Sequence, residues 1–251
     1  MKIDLAGKVA VITGGSRGLG EAMATALAAS GATIALVARD ESKLAAVRDS
    51  IVAAGGKAAY FMGDVTNELD VKRIAEDVNK QLGAPQIVIN NAGTNCRKHL
   101  LDLTLEEFEG VIDSSLKSTF LVSRAFVPGM SGRGYGRIIN MTSILSHVSL
   151  PGRTPYSSAK SALLGFTRAL ALELASDGIT VNGISPGPFG TEMNHAVMND
   201  PQANAQFLAS LPVGRWGRVE EIGALACYLC SDLAGFITGT DIVIDGGWTT
   251  K

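Results

Sequence analysis

The sequence predicts an α/β fold, a doubly wound parallel sheet of seven strands with helices on both faces. Three observations predict it. Short β-branched runs alternate with longer helical patterns along the whole chain. Several of these runs are apolar throughout rather than alternating, as strands covered on both faces are. The first run passes through a glycine-rich turn into a helical pattern. Alternation of this kind specifies parallel strands joined by right-handed crossovers. Strands are expected at KVAVIT (8–13), TIALVA (33–38), AAYFMGD (58–64), QIVINNA (86–92), RIINMTS (137–143), TVNGISPG (180–187) and DIVIDGG (241–247). Helical patterns fill about 19–30, 41–54, 67–82, 104–130, 155–176 and 218–231. No linker, repeat or low-complexity stretch interrupts them, so residues 1–251 are read as one domain. The one irregular insertion, 188–215, is expected to be a substrate lid, with Met193, Val197, Met198, Phe207 and Leu208 as apolar anchors.

Composition narrows the class. With 46% hydrophobic and 18% charged residues, 251 residues can bury a large core. A net charge of −2 argues against nucleic acid or an anionic membrane as the main partner. No uninterrupted apolar stretch is long enough to span a bilayer. The opening MKIDLAGKVAVITGG carries charge at once and runs into a strand, unlike a secretory signal. Three cysteines make no disulfide framework, and a cytoplasmic location is expected. Cys227 and Cys230 form a CxxC inside an apolar helical pattern without a second ligand pair, so they are read as core. His147 and His195, with no cysteine or carboxylate cluster around them, are expected to flank a substrate mouth, and no metal is expected.

In an open parallel sheet, ligands bind beyond the carboxyl ends of the strands. The first strand ends in TGGSRGLG, with Gly14, Gly18 and Gly20 ahead of a helix. Glycines there let the backbone turn tightly and approach a pyrophosphate, whose charge meets free N–H groups at the helix start. Dinucleotide sheets that take NAD place an acidic residue after the second strand, for the ribose 2′-OH. Here that position is Ala38, followed by Arg39, and Arg17 lies in the glycine-rich loop. Two guanidiniums converging on one ribose suit a 2′-phosphate, so NADP(H) is the preferred cofactor. NAD(H) is the alternative, since Asp40 is adjacent and both arginines also read as solvated surface residues. Asp64 and Val65, after the third strand, are expected at the adenine. Asn90, Asn91, Ala92 and Gly93, after the fourth, are expected beside the ribose and nicotinamide.

The fifth strand is expected to end at Ser143, thirteen residues before Tyr156. Tyr156 and Lys160, four apart, share a face at the start of a helix. Hydroxyl, phenol and ammonium can therefore gather at the nicotinamide end of the cofactor. Physically this is a carbonyl-reducing constellation. Ser143 would hold the substrate oxygen, Tyr156 would pass the proton, and Lys160 would stabilise the tyrosinate and bind the ribose. Lowering a free Tyr from a pKa near 10 to about 7 takes roughly 4 kcal/mol. The Lys and the positive charge of an oxidised nicotinamide are expected to supply it.

TGGSRGLG, NNAG, Ser143, Tyr156-x-x-x-Lys160 and SPGPFGTEM (185–193) resemble, in order and spacing, the short-chain dehydrogenase/reductase family, and the similarity covers essentially the whole chain. The resemblance implies a Rossmann-type oxidoreductase that is a homotetramer or dimer. It implies the catalytic roles just given and cofactor contacts from Gly14, Ser16, Arg17, Gly18, Leu19, Gly20, Arg39, Asp64, Val65, Asn91, Ala92, Gly93, Tyr156, Lys160, Pro186 and Gly187. Thr191 would meet the nicotinamide carboxamide or the pyrophosphate. One position departs. Where the family carries an Asn that helps hold a proton-relaying water, DSSLKSTF has Ser115. A shorter hydroxyl can keep the relay through an extra water or impair it.

TNCRKHLLDLT, Arg153 and the ending DGGWTTK are similar to members acting on sugars and sugar acids, gluconate 5-dehydrogenase among them. Arg97, Lys98 or Arg153 would then meet a substrate carboxylate or hydroxyls. The alternatives are a 3-oxoacyl-(acyl-carrier-protein) reductase and, in a different class, a cofactor-binding protein with little turnover.

Overall fold

The strand patterns form strands, and the sheet they build explains why they carry so little polarity. The computed structural model describes residues 3–250, except the side chains of Met193 and Ala196. The strands are β1 (Val9–Thr13), β2 (Thr33–Ala38), β3 (Lys57–Met62), β4 (Ile87–Asn90), β5 (Gly136–Met141), β6 (Ile179–Pro186) and β7 (Asp241–Ile244). They pair in the order β3-β2-β1-β4-β5-β6-β7, and every pairing is parallel. Successive residues of a strand point to opposite faces, and here both faces are covered. Ile12, Ile34 and Ile89 join Met23, Leu27, Ile222 and Leu229 in one core. Val11, Val37, Val88 and Ile138 join Val71, Ile74, Leu121 and Phe126 in another.

The first face is covered by α1 (Gly18–Ala29) and α9 (Val219–Cys230), the second by α3 (Glu68–Leu82), α5 (Ser118–Phe126) and α6 (Thr154–Leu174). Cys227 and Cys230 belong to the first core, and burial pushes both thiols above their usual pKa. Side-chain caps start several helices. Asp40 opens α2 (Glu41–Ala53), Asn67 opens α3, and Thr104 with Glu107 forms a capping box on α4 (Leu105–Ile112). Among the described residues, no helix is long and apolar enough to cross a membrane.

Two segments differ from expectation. The helical pattern at 104–130 is not one helix. Between α4 and α5 the chain widens into a π turn over Asp113–Lys117, and a 3₁₀ turn, Val127–Gly129, follows α5. Local hydroxyls occupy carbonyls there: Ser118 Oγ donates to the Ser114 carbonyl and Thr119 Oγ1 to that of Ser115, each at 2.7 Å. The insertion at 188–215 is not irregular either. It holds a 3₁₀ turn (Glu192–Asn194), a short α7 (His195–Met198) and α8 (Pro201–Ala209). Asp200 caps α8 and Pro201 opens it, a start signal legible in the sequence as NDP. Met193, one of the expected lid anchors, has its side chain outside those described.

Candidate active site

The strand order reverses between β1 and β4, so a crevice opens beyond Thr13 and Asn90. Gly14 turns the chain there at φ +62°, and a Cβ on it would stand 2.8 Å from Asn91 Nδ2. A Cβ on Gly20 would run into the Gly14 carbonyl. Asn91 is what packs this loop: its Nδ2 donates to the Thr13 and Gly14 carbonyls at 3.0 and 3.1 Å. Its N–H and that of Ala92 donate to Thr13 Oγ1, each at 3.0 Å. The Asn91 side chain, expected beside the nicotinamide, is thus committed to shaping the glycine-rich loop. Arg17 is the N-cap of α1 without a side-chain capping bond, leaving the first N–H groups, at Gly18 to Gly20, for an anion. Leu19 turns toward the first core. Across the crevice, Pro186 ends β6, Gly187 packs on Asp245, and Thr191 Cγ2 lies 3.9 Å from where a Cβ on Gly18 would sit.

The expected 2′-phosphate pair is only half assembled. Ser16 and Arg17 line a cavity of about 250 Å³ together with Lys43, Glu21 and Glu192. Arg39 is not part of that lining: its Nη1 stands 3.9 Å from Asp64 Oδ2, and Arg17 Nη1 stands 3.7 Å from Glu192 Oε2. Lys43, in the first turn of α2, is a third cation that sequence reasoning missed. Asp40, the doubtful acid, is committed to capping, accepting from Ser42 Oγ at 2.7 Å and Lys43 N–H at 3.1 Å. Those bonds, the one from Ser42 foremost, hold its carboxyl below the usual range. Asp64 Oδ1 accepts from Thr66 N–H and Oγ1 at 2.9 Å each, and Val65 is buried in the second core.

Ser143, Tyr156 and Lys160 come together on the same carboxyl edge, beyond β5. β5 ends at Met141, so Ser143 lies two residues beyond the strand and caps a 3₁₀ turn, Ile144–Ser146. Its Oγ accepts from the Leu145 N–H at 3.1 Å. Pro155 sits in the first turn of α6, and Tyr156 and Lys160 follow on one face, with Nζ 5.7 Å from the phenol ring centre. Lys160 is buried and donates to the Met141 carbonyl at 2.6 Å. Burial brings its pKa from 10.5 down to about 8. Burial also raises the Tyr156 phenol, while Ser143 and the Arg153 charge pull it back. In the protein alone the phenol is therefore raised rather than lowered. A buried side-chain ladder that sequence reasoning missed anchors this edge. Asn90 Nδ2 donates to Asn140 Oδ1 at 2.9 Å, and Asn140 Nδ2 donates to Thr167 Oγ1 on α6 at 2.9 Å.

Ser115 lies in the π turn, buried, and its Oγ has no hydrogen-bond partner among the described residues. A Cβ built on Gly93 would be 3.3 Å from that Oγ and 3.6 Å from Lys160 Nζ. The glycine keeps open the space that both groups face. On the substrate side, Lys98 pairs with Glu107. His147 is exposed, and its Nε2 lies 2.7 Å from Asp241 Oδ2. Arg153 remains. Its Nη1 is buried without a partner among the described residues, and burial and the neighbouring Arg97 charge press its pKa below the usual guanidinium value.

A dinucleotide crevice that opens onto a serine, a tyrosine and a lysine defines an oxidoreductase of the nicotinamide-dependent class. The family described as enoyl-(acyl carrier protein) reductase matches residues 14–249. The chain is 37% identical to the 3-oxoacyl-(acyl-carrier-protein) reductase FabG of Pseudomonas aeruginosa, over 98% of each chain. It is 33% identical to the gluconate 5-dehydrogenase of Gluconobacter oxydans, over 99% of this chain and 97% of that one. A crystal structure of a Burkholderia cenocepacia gluconate 5-dehydrogenase, in complex with NADP and tartrate, superposes with a TM-score of 0.94 at 32% identity, covering 100% and 98% of the two chains. The chain belongs to the short-chain dehydrogenase/reductase family.

Proposed function

We propose that the protein interconverts a secondary alcohol and a ketone with NADP(H), on a sugar acid or a similar carboxylate-bearing polyol. The observation that carries the substrate class is Arg153. A buried guanidinium nitrogen without a partner among the described residues, beside a second arginine and seven residues before Lys160, is costly unless an anion completes it. The relative crystallised with NADP holds tartrate, a hydroxy-dicarboxylate, which supports the same reading. For the cofactor, Arg17, Lys43 and Arg39 give positive charge at the end of the crevice where a 2′-phosphate would lie.

A bound nicotinamide supplies or accepts the hydride. In the reducing direction the Ser143 hydroxyl holds the substrate carbonyl and Tyr156 delivers its proton to that oxygen. Lys160 stabilises the resulting phenolate, and water beside Ser115 returns the proton. Two hydroxyls act on the substrate oxygen and the ammonium supports the phenolate, an arrangement that polarises the carbonyl without a metal. Large apolar side chains left exposed, Phe236, Leu172 and, on the edge strand β7, Val243, support a homo-oligomer, a tetramer or dimer.

The test is a substrate panel followed at the nicotinamide absorbance: sugar acids, ketoses, polyols and β-ketoacyl thioesters, each with NADP(H) and NAD(H). Turnover of carboxylate-bearing sugars that Arg153→Ala weakens mainly in KM is expected. The 37% identity to the acyl-carrier-protein reductase favours a second reading, and thioester reduction without sugar activity would establish it instead. Cofactor binding without any turnover would move the protein to the binding class.

A further inference from the structure

Beside Ser143 lies a partly buried hydrogen-bonded group that none of the roles above uses. Asp241, the first residue of β7, places its carboxylate in the space a side chain at Gly183 would fill. Its Oδ1 accepts from Thr142 Oγ1 at 2.5 Å, and its Oδ2 lies 2.6 Å from Ser185 Oγ and 2.7 Å from His147 Nε2. Ser185 Oγ also lies 2.9 Å from the main-chain carbonyl of Ser143, which takes the Ser146 N–H at 2.8 Å as well. Thr142 and Ser185 are themselves 2.9 Å apart.

Hydrogens decide what this group can do. Thr142 and Ser185 carry one hydroxyl hydrogen each, and the two carboxylate oxygens and the Ser143 carbonyl compete for them. His147 Nε2, 2.7 Å from Oδ2 and 3.3 Å from Ser185 Oγ, adds an N–H donor. With that N–H on Oδ2 the carboxylate's pull on the Ser185 hydroxyl weakens, and the hydroxyl turns to the Ser143 carbonyl, tying the turn that carries the serine to β6. Without it, the charged carboxylate, the stronger acceptor, takes the Ser185 hydrogen. Ser143 then loses that tie.

We propose that His147, acting through Asp241 and Ser185, is a positioning residue for Ser143. The inference rests on the role assigned to Ser143 above. The polar contacts of His147 run to Asp241 and Ser185, and its effect falls on the geometry of the carbonyl-holding hydroxyl. A cavity of about 150 Å³ between α6 and β7, lined by His147, Thr167, Arg168 and Asp241, gives the imidazole room to be replaced without crowding.

The test uses the full-length protein with NADPH and 9,10-phenanthrenequinone, an activated diketone that needs no carboxylate subsite. His147→Phe is expected to slow hydride transfer about fivefold, the value of one net hydrogen bond, with NADPH affinity unchanged. His147→Gln, which keeps an N–H donor, should restore the rate. Ser185→Ala should match His147→Phe, and the double variant should be no slower than Ser185→Ala alone, because both losses act through one hydrogen. Losses that multiply in the double variant, or a Gln variant as slow as the Phe variant, would overturn the proposal. Ser143→Ala with an undiminished rate would overturn the role of Ser143 itself. Amide exchange across 143–147 in the NADPH complex gives the same answer without turnover: faster in His147→Phe and restored in His147→Gln is expected, and no change in His147→Phe overturns the link.

Discussion

Replacing Lys160 with Met should make the stability of the protein less dependent on pH. The ammonium is buried, and desolvation takes its pKa from 10.5 to about 8. An unfolded chain protonates this lysine more readily than the folded one does. The fold therefore carries the full penalty below pH 8 and none above 10.5, and stability from this group rises with pH between them. The fall corresponds to roughly 3 kcal/mol at pH 7, of which roughly 2 kcal/mol relaxes by pH 9.5. Urea unfolding of the cofactor-free protein at those two pH values, at one protein concentration, isolates it. Other groups titrate equally in both variants, so the difference between wild type and Lys160→Met belongs to Lys160. Wild type should gain about 2 kcal/mol more than the variant between pH 7 and 9.5. At pH 7 itself the variant's advantage shrinks, because the Met141 carbonyl loses its donor. Parallel pH dependence in the two proteins would refute the reasoning and place the ammonium in water.

Arg17→Ala and Arg39→Ala should each weaken NADPH by about tenfold or more and NADH far less, as loss of a charge-assisted phosphate contact does. Equal losses for both cofactors, read by fluorescence titration, would contradict the NADP preference. Ser115→Ala should lower turnover by a few-fold, less than any change at Tyr156, if its unpartnered hydroxyl holds the relay water. Full activity across the neutral pH range would remove Ser115 from the path. Hydrogen exchange over 188–212 should be faster than in the sheet and should slow when cofactor and substrate are both present. Exchange as slow there as in β4 or β5 in every state would count against a gating lid.

The sheet was legible because β-branched runs buried on both faces carry their own signal, as Val9–Thr13 and Ile87–Asn90 do. The gathering of Ser143, Tyr156 and Lys160 was legible for a related reason: Tyr156 and Lys160 lie four apart on one helix, and strand ends share one edge. The break after Ile112 was not legible. A π turn keeps the apolar spacing nearly intact, and what sustains it is the local bonding of Ser118 and Thr119 to main-chain carbonyls. Reading Asp200-Pro201 as a helix start would have turned the insertion from a loop into α8. Lys43, the unpartnered nitrogen of Arg153 and the Asp241 contact of His147 required tertiary structure. His147 meets an aspartate 94 residues away, and no spacing rule connects them. Lys98 reads the same as Arg97 in sequence, and only the fold commits it to Glu107.

The central claim is that Tyr156 delivers the proton while the crevice beyond β1 and β4 holds the cofactor. Tyr156→Phe removes one oxygen from a site whose other groups stay in place, so it separates the two functions. NADPH affinity, followed by fluorescence titration, should stay within about twofold of wild type, and the rate of carbonyl reduction should fall by 10²-fold or more. A Phe variant that binds NADPH and still reduces carbonyl substrates at the wild-type rate would contradict the account.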